Sequence, residues 1–106
     1  MIVVKFTVNS EEKIGKLHVS GHSGYDEIGK DIVCSGVTTA VYTTIGLIEK
    51  VSAGFKVDIQ EEKAIISLEV MDDSDLVQLI LVNLLEILEG ITKDYPKNVK
   101  ISKILK

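Results

Sequence analysis

Apolar and polar residues alternate in several short segments of this chain, a pattern typical of β-strands with one buried face. Residues 4–8 and 14–20 flank one polar turn, and residues 55–59 and 66–70 flank another. The pattern predicts two β-hairpins, because alternation on both sides of a turn places the apolar residues of both strands on one face. The segment 99–105 predicts a last strand.

Two longer segments between these strands carry apolar residues at helical spacing. The first has one apolar stripe, in spite of several β-branched residues; it consists of Val33, Val37, Ala40, Val41, Thr44, Ile48 and Val51. The second follows an N-capping acidic cluster at residues 72–75 and extends to about Lys93. Its polar stripe is narrow and consists of Asp75, Gln78, Asn83, Glu86, Glu89 and Lys93. The wide apolar face indicates either deep burial or a dimer contact.

The predicted order of elements is β-β-α-β-β-α-β. The simplest fold for this order is a two-layer α+β domain, with a mixed sheet and both helices on one face. Its 106 residues are enough for one core and too few for two, so we expect a single domain over residues 1–106.

Charge and composition exclude several classes of protein. The formal net charge is -4 and every basic residue is lysine, so no arginine is present to bind phosphate or guanine in bidentate fashion. We therefore expect no nucleic-acid partner, whereas a basic peptide would be tolerated. No apolar run reaches the roughly 18 residues of a membrane span, and no export signal is evident.

The single cysteine cannot form an intramolecular disulfide, and with two histidines it does not make a structural zinc spacing. The chain is therefore expected to be cytoplasmic and to need no metal or organic cofactor.

The residues best suited to catalysis are concentrated in residues 21–36, which hold the only cysteine, one of the two histidines and four of the eight glycines. Asp31 stands where an N-cap is expected, which places Cys34 in the first helical turn. The helix N-terminus favours a thiolate there. His22 lies on a glycine-containing loop that can fold back to the sulfur, where it would act as general base and acid.

The backbone N–H groups around Cys34, Ser35 and Gly36 are candidates for binding the oxyanion that a thiolate attack creates, and Gly36 would leave room for the substrate backbone. The candidate substrate-binding residues are Gly21, Ser23, Gly24, Tyr25, Ser35 and Gly36.

Each of these residues also has a purely structural interpretation. A lone cysteine on an apolar helix stripe is more often a small core residue than a nucleophile. His22 can be a solvated loop residue, and His18 on the second strand is expected at the surface. Asp31 is first of all a cap, although it can also orient His22. Tyr25 is expected to pack the loop more than to contact a peptide.

The run GHSGYDEIGKDIVCSGVT, from Gly21 to Thr38, closely resembles the ribosomal-processing cysteine protease family, Prp. Its pattern is Gly-His, a small residue, an aromatic two places on, Gly, Asp, two aliphatics, Cys and a small residue. By this resemblance Cys34 is the nucleophile, His22 the general base and acid, and Asp31 the motif acid. Gly21, Gly24 and Gly29 match the glycines of a loop that is expected to be mobile and to close over substrate.

The resemblance further implies a cytoplasmic bacterial endopeptidase. Its substrate would be the short N-terminal extension of a large-subunit ribosomal protein of the bL27 type, cut after a pair of aromatic residues. Members of the family are homodimers, which would account for the wide apolar face of the second helix. Two other functions stay open: a non-catalytic ribosome-associated binding or assembly module, and another cysteine-dependent enzyme such as a thioesterase or amidase.

Overall fold

A computed structural model describes residues 1–27 and 30–106. The elements, in chain order, are β1 (Ile2–Val8), β2 (Ile14–Ser20), α1 (Ile32–Val51), β3 (Phe55–Gln60), a short 3-10 turn (Glu61–Lys63), β4 (Ile65–Val70), α2 (Asp75–Asp94) and β5 (Val99–Leu105). This order is the predicted one, and the helix and strand boundaries differ from the predicted ones by a few residues at most.

The five strands form one mixed sheet with the order β3-β4-β2-β1-β5. Neighbouring strands are antiparallel except for β1 and β5, which pair in parallel from Ile2 and Val99 onward. The parallel pair brings the start of β1, the end of β2 and the start of β5 to the same edge of the sheet. The segment after β2 and the N-terminus of α1 lie at that edge.

The alternating residues of the strands and the stripes of the two helices share one core, as the sequence predicts. Phe6, Leu17 and Leu68 are almost fully buried on the helix-covered face of the sheet. Val37 of α1 and Leu84 of α2 are buried against them. The predicted two-layer α+β fold is confirmed.

Helix α1 is long and apolar enough to cross a membrane by length and composition, although polar residues interrupt it and no uninterrupted apolar run reaches the length of a membrane span. Val33, Val41 and Ile48 of this helix are nevertheless buried in the domain core. That placement accounts for its hydropathy, because the core helix of a folded domain meets the same criterion.

Gln78 departs from its predicted place on the solvent-facing stripe of α2. Its side chain is buried, accepts from the backbone N–H of Ile14 at 2.7 Å and donates to the carbonyl of the same residue at 2.8 Å. The register of β1 and β2 shifts at Ile14, so its peptide groups are available to a side chain. A polar residue is stable at this buried position because both of its hydrogen-bonding functions are satisfied.

Candidate active site

Cys34 is the third residue of α1 and is partly buried at the N-terminal end of the helix. Asp31 is the N-cap, as predicted, and its Oδ1 accepts from the backbone N–H of Cys34 at 2.9 Å. The cap fixes the first turn of the helix and so fixes the position from which the thiol projects.

His22 is exposed and directly follows Gly21, at the end of β2. The φ of Gly21 is +92°, and a Cβ at this position would lie 2.4 Å from the carbonyl oxygen of Met1. The N–H of Gly21 donates to the carbonyl of Ala64 at 3.1 Å. Only glycine fits a left-handed backbone in such close contact, so the direction in which the chain leaves β2 depends on Gly21.

Cys34 and His22 line the same groove, which has a volume of about 310 Å³. Most of its wall is apolar and comes from Ile2, Val19, Val37, Ile59, Ile65 and Ile66. Thr38 and Tyr42 of α1 continue the wall away from the sulfur. These positions follow Cys34 at intervals of four, so the groove extends roughly 12 Å along the helix. That length suits three or four residues of an extended peptide.

The Asp31 carboxylate holds the segment after His22 in place. It accepts from the hydroxyl of Ser23, and its Oδ2 also accepts from the N–H groups of Tyr25 at 3.1 Å and Asp26 at 3.3 Å. Burial alone would raise the pKa of Asp31, but the hydrogen bonds from Ser23, Cys34, Asp26 and Tyr25 outweigh it and lower the pKa from 3.8 to about 2. The carboxylate is therefore ionised at neutral pH.

Asp31 thus connects the segment that follows His22 to the helical turn that carries Cys34. Its partners in residues 1–27 and 30–106 are the groups just named, and His22 is not among them. The structure therefore places Asp31 as a cap and loop anchor, and gives no direct contact through which it would orient the imidazole.

Two residues that sequence reasoning missed anchor the same segment from the corner between α2 and β5. The side-chain amide of Asn98 donates to the carbonyl of Ser23 at 3.0 Å. The rings of Tyr25 and Tyr95 pack edge to face, with centroids 5.3 Å apart. These contacts join positions about 70 residues apart in the chain, and no local pattern predicts a contact of that separation.

The candidate oxyanion donors already have acceptors within the unliganded protein. The N–H of Cys34 donates to the Asp31 side chain, and the N–H of Ser35 donates to the Asp31 carbonyl at 3.0 Å. Gly36 lies within the helix, where the N–H bonds the carbonyl four residues earlier. The N–H groups of Ile32 and Val33, at the first two helical positions, have no acceptor inside the helix in residues 30–106. Sequence reasoning left out the acceptor that the cap itself supplies to the Cys34 N–H.

The candidate substrate contacts divide into several groups. Gly21 lines the groove. Ser23 is only 2% exposed and bonds Asp31, so the prediction that it contacts substrate was wrong. Gly36 faces α2 and not the groove, since a Cβ on it would lie 3.9 Å from Ile91. Residues two positions apart point to nearly opposite sides of a helix, so Gly36 does not share the face that carries Cys34.

The other predicted contacts that the structure describes do not line the groove. Gly24 is exposed, with a φ of +71° and open space around it. Tyr25 is 47% exposed beside Tyr95, in keeping with the loop-packing interpretation. Ser35 is exposed on the first turn of α1. Gly29, which was matched as a loop glycine, lies outside the described residues.

His18 lies on the face of the sheet opposite the helices, where its Nδ1 and the Ser67 hydroxyl are 2.9 Å apart. It is partly buried and far less exposed than a free surface residue. In the part of the chain that the structure describes, no group of three or more His, Cys, Asp or Glu side chains is arranged to hold a metal ion.

The site combines a thiol at a helix N-terminus with an imidazole on the wall of the same apolar groove, which has the size of a short peptide. This combination is typical of a small α+β hydrolase that uses cysteine as its nucleophile. Comparison with known proteins places the chain within this class. The family model for cysteine protease Prp matches residues 1–100, and the chain belongs to that family. The resemblance of residues 21–38 to this family is thereby confirmed, and the protein is a cysteine protease.

The relatives cover nearly the whole chain. The ribosomal processing cysteine protease Prp of Staphylococcus aureus is 29% identical over 104 residues, which span 96% of this chain and 98% of that protein. The protein of the same name from Bacillus subtilis is 28% identical over 109 residues, with 96% of each covered. A crystal structure of S. aureus Prp with a covalently linked product peptide matches with a TM-score of 0.92 and 28% identity, covering 97% of this chain and 99% of that one.

Proposed function

We propose that this protein is a cytoplasmic cysteine endopeptidase that removes the short N-terminal extension of a large-subunit ribosomal protein of the bL27 type. Cys34 is the nucleophile and His22 the general base and acid. The observation that carries the proposal is that these two side chains line one apolar groove of peptide dimensions. The covalently linked product peptide in the S. aureus relative supports a covalent mechanism in this fold.

In the proposed reaction, Cys34 Sγ loses its proton to His22 and attacks the scissile carbonyl carbon. His22 gives that proton to the departing amine as the C–N bond breaks, which leaves an acyl-enzyme on the sulfur. Water then attacks the thioester, with His22 as base, and releases the free thiol and the extension peptide. No redox partner is needed, since each step only transfers an acyl group and a proton.

His22 and Cys34 form no hydrogen bond to each other in the described residues. Such a bond is commonly long or absent in an unliganded protease and forms when substrate binds. Substrate in the groove would contact both side chains, so binding itself can bring the imidazole to the sulfur.

The apolar groove supports the assignment of a hydrophobic cleavage site. Val37, Ile59 and Ile66 offer aliphatic surface next to the catalytic pair, and Tyr42 adds an aromatic ring that is 39% exposed. Aromatic side chains of a substrate would bury much of their surface there, each contributing about 2 kcal/mol. Cleavage after a pair of aromatic residues fits this chemistry.

We also propose that the protein is a homodimer through the outer face of its helices. Leu47 of α1 is 45% exposed, and Leu79 and Ile87 of α2 are 67% and 44% exposed. They line a surface cavity of about 520 Å³ between the two helices. Covering this face removes apolar surface from water, as expected for an obligate contact.

The function is tested with a peptide that carries the ribosomal extension and its aromatic pair, alongside a peptide in which alanines replace that pair. Cleavage by the wild type, and not by Cys34→Ala or His22→Ala, is the expected result, with the alanine peptide left intact. Equal cleavage by Cys34→Ala would contradict the role of Cys34, whereas no cleavage by the wild type would favour a non-catalytic binding module. Turnover of small esters or thioesters with no preference for the aromatic peptide would instead indicate a thioesterase or amidase.

A further inference from the structure

Ser23, the residue directly after His22, is held from two sides. Its hydroxyl donates to Asp31 at the start of α1, and its carbonyl accepts from the side chain of Asn98 at the start of β5. Ser23 is 2% exposed, whereas His22 is exposed. The imidazole is therefore an exposed side chain next to a residue that two separate elements hold.

Asn98 is itself rigidly placed. Its N–H donates to the carbonyl of Tyr95 at 3.0 Å, and its carbonyl accepts from the N–H of Ile2 at 2.8 Å. The parallel pairing of β1 and β5 begins one residue later, at Val99. The N–H and the carbonyl of Asn98 are thus both hydrogen-bonded to the backbone around it. Its side chain makes the contact to the segment that follows His22.

We propose that Asn98 is a positioning residue for His22. Its side-chain amide sets the distance of the catalytic imidazole from Cys34 and from the leaving amine. This role rests on the proposed function, because it matters only if His22 transfers protons during cleavage. The edge-to-face contact of Tyr95 with Tyr25 supports the same segment two residues further along.

The effect of losing this contact follows from the geometry of the segment. Without the amide, the carbonyl of the Ser23–Gly24 peptide group loses its partner, and this segment is held only from the side of Asp31. His22 is bonded to the other side of the Ser23 α-carbon, so a shift of that atom moves the imidazole as well. A misplacement of about 1 Å at a catalytic group can reduce the rate by roughly 100-fold.

The test uses Asn98→Ala and Asn98→Asp in the full-length protein. Alanine removes the hydrogen bond without adding charge, and aspartate keeps the shape but presents an acceptor to the Ser23 carbonyl. Neither change removes the two backbone hydrogen bonds of this residue. Asn9→Asp is the matched control: its Oδ1 accepts two backbone hydrogen bonds that a carboxylate also accepts, at the opposite end of β1.

The measurement compares two substrates with the same acyl portion, one with a peptide bond at the cleavage site and one with a p-nitrophenyl ester. An amide needs a proton from His22 to expel its amine, whereas p-nitrophenolate leaves without one. We expect both Asn98 variants to lower kcat/KM about 10-fold or more for the peptide and by a smaller factor for the ester, because the ester needs His22 only to take the Cys34 proton. KM should stay within about 2-fold, and Asn9→Asp should match the wild type.

A parallel loss on both substrates would overturn the positioning role, because a defect of the fold or the groove affects them equally. Unchanged peptide cleavage in both variants would overturn it as well. Failure of the wild type to cut the peptide would instead refute the proposed function, and the role of Asn98 would be refuted with it. Thermal melts of all variants establish that each is folded.

Discussion

The hydroxyl of Ser23 donates to the carboxylate of Asp31, a contact that joins the residue after His22 to the cap of the helix that carries Cys34. One carboxylate thereby fixes both halves of the proposed catalytic pair. It does so through the Cys34 N–H and the Ser23 hydroxyl, and neither the imidazole nor the thiol is among its partners in the described residues.

Replacing Asp31 with Asn separates the two functions of this carboxylate, which caps helix α1 and anchors the segment after His22. The amide oxygen still accepts from the Cys34 N–H, but the amide nitrogen cannot accept from Ser23, Tyr25 or Asp26. We therefore expect a helix that is still capped and a cleavage rate reduced by about 10-fold or more. Steady-state cleavage with a parallel thermal melt distinguishes this from a simple cap, which would lose stability and keep its rate.

The pH dependence of stability gives a second test of Asp31. Its pKa is lowered to about 2 in the folded protein, so the ionised carboxylate stabilises the fold above roughly pH 4 and this contribution is lost as the pH falls through about 2. Unfolding midpoints measured from pH 5 to pH 2 should decline less steeply in Asp31→Asn than in the wild type. Asp58→Asn, at an exposed site on β3, should decline as the wild type does.

Alanine substitutions at Gly21 and Gly24 allow the effect of a steric clash to be compared with that of a positive φ alone. Both have positive φ, but a Cβ on Gly21 would lie 2.4 Å from Met1 O, whereas a Cβ on Gly24 meets nothing within 4 Å. Gly24→Ala should cost about 1 kcal/mol of stability, and Gly21→Ala about 2 kcal/mol or more. Denaturant unfolding measures both. Gly21→Ala should also lose cleavage activity, because the segment that carries His22 must move away from Met1.

Because Gln78 is buried, we expect its replacement by a side chain of similar size to lower the free energy of unfolding strongly. Gln78→Met leaves the N–H and carbonyl of Ile14 without their partner, so we expect a loss of about 2 kcal/mol. Gln60→Met, on β3, removes only an exposed hydrogen bond to Asp58 and should cost less than about 0.5 kcal/mol. Equal effects in urea unfolding would contradict the structural role assigned to Gln78.

The homodimer depends on the outer face of the helices. Leu79→Glu places a charge on the most exposed apolar residue lining the cavity between α1 and α2, and should convert the dimer to monomer. Leu105→Glu changes a leucine that is 74% exposed at the end of β5 and should leave the assembly intact. Sedimentation velocity measures both. A wild type that sediments as a monomer would contradict this part of the proposal.

Local patterns predicted the elements of the fold well, because strand alternation and helix stripes reflect burial against a single core. They also placed Cys34 in the first turn of α1, since Asp31 is a strong capping signal. They failed where a contact joins distant parts of the chain. Gln78 was assigned to the solvent and Asn98 was overlooked because their partners, Ile14 and Ser23, are 64 and 75 residues away.

The oxyanion prediction did not take account of the hydrogen bonds that these donors already make. It counted the N–H groups of the first turn without subtracting those that Asp31 occupies, so Cys34 and Ser35 were taken as donors although both already donate to that residue. A cap that satisfies the third N–H leaves only the first two for a ligand. The identity of a capping residue therefore also predicts which backbone donors remain.

The central claim is that Cys34 forms a covalent acyl-enzyme with the substrate extension, and mass spectrometry of the trapped intermediate tests it directly. The protein is mixed with the extension peptide, quenched with acid within the first turnover and digested for mapping. An adduct with the mass of the acyl portion on the fragment that contains Cys34 is the predicted result, with none in Cys34→Ala. Cleavage that proceeds in Cys34→Ala, or an acyl group found on another residue, would contradict the account.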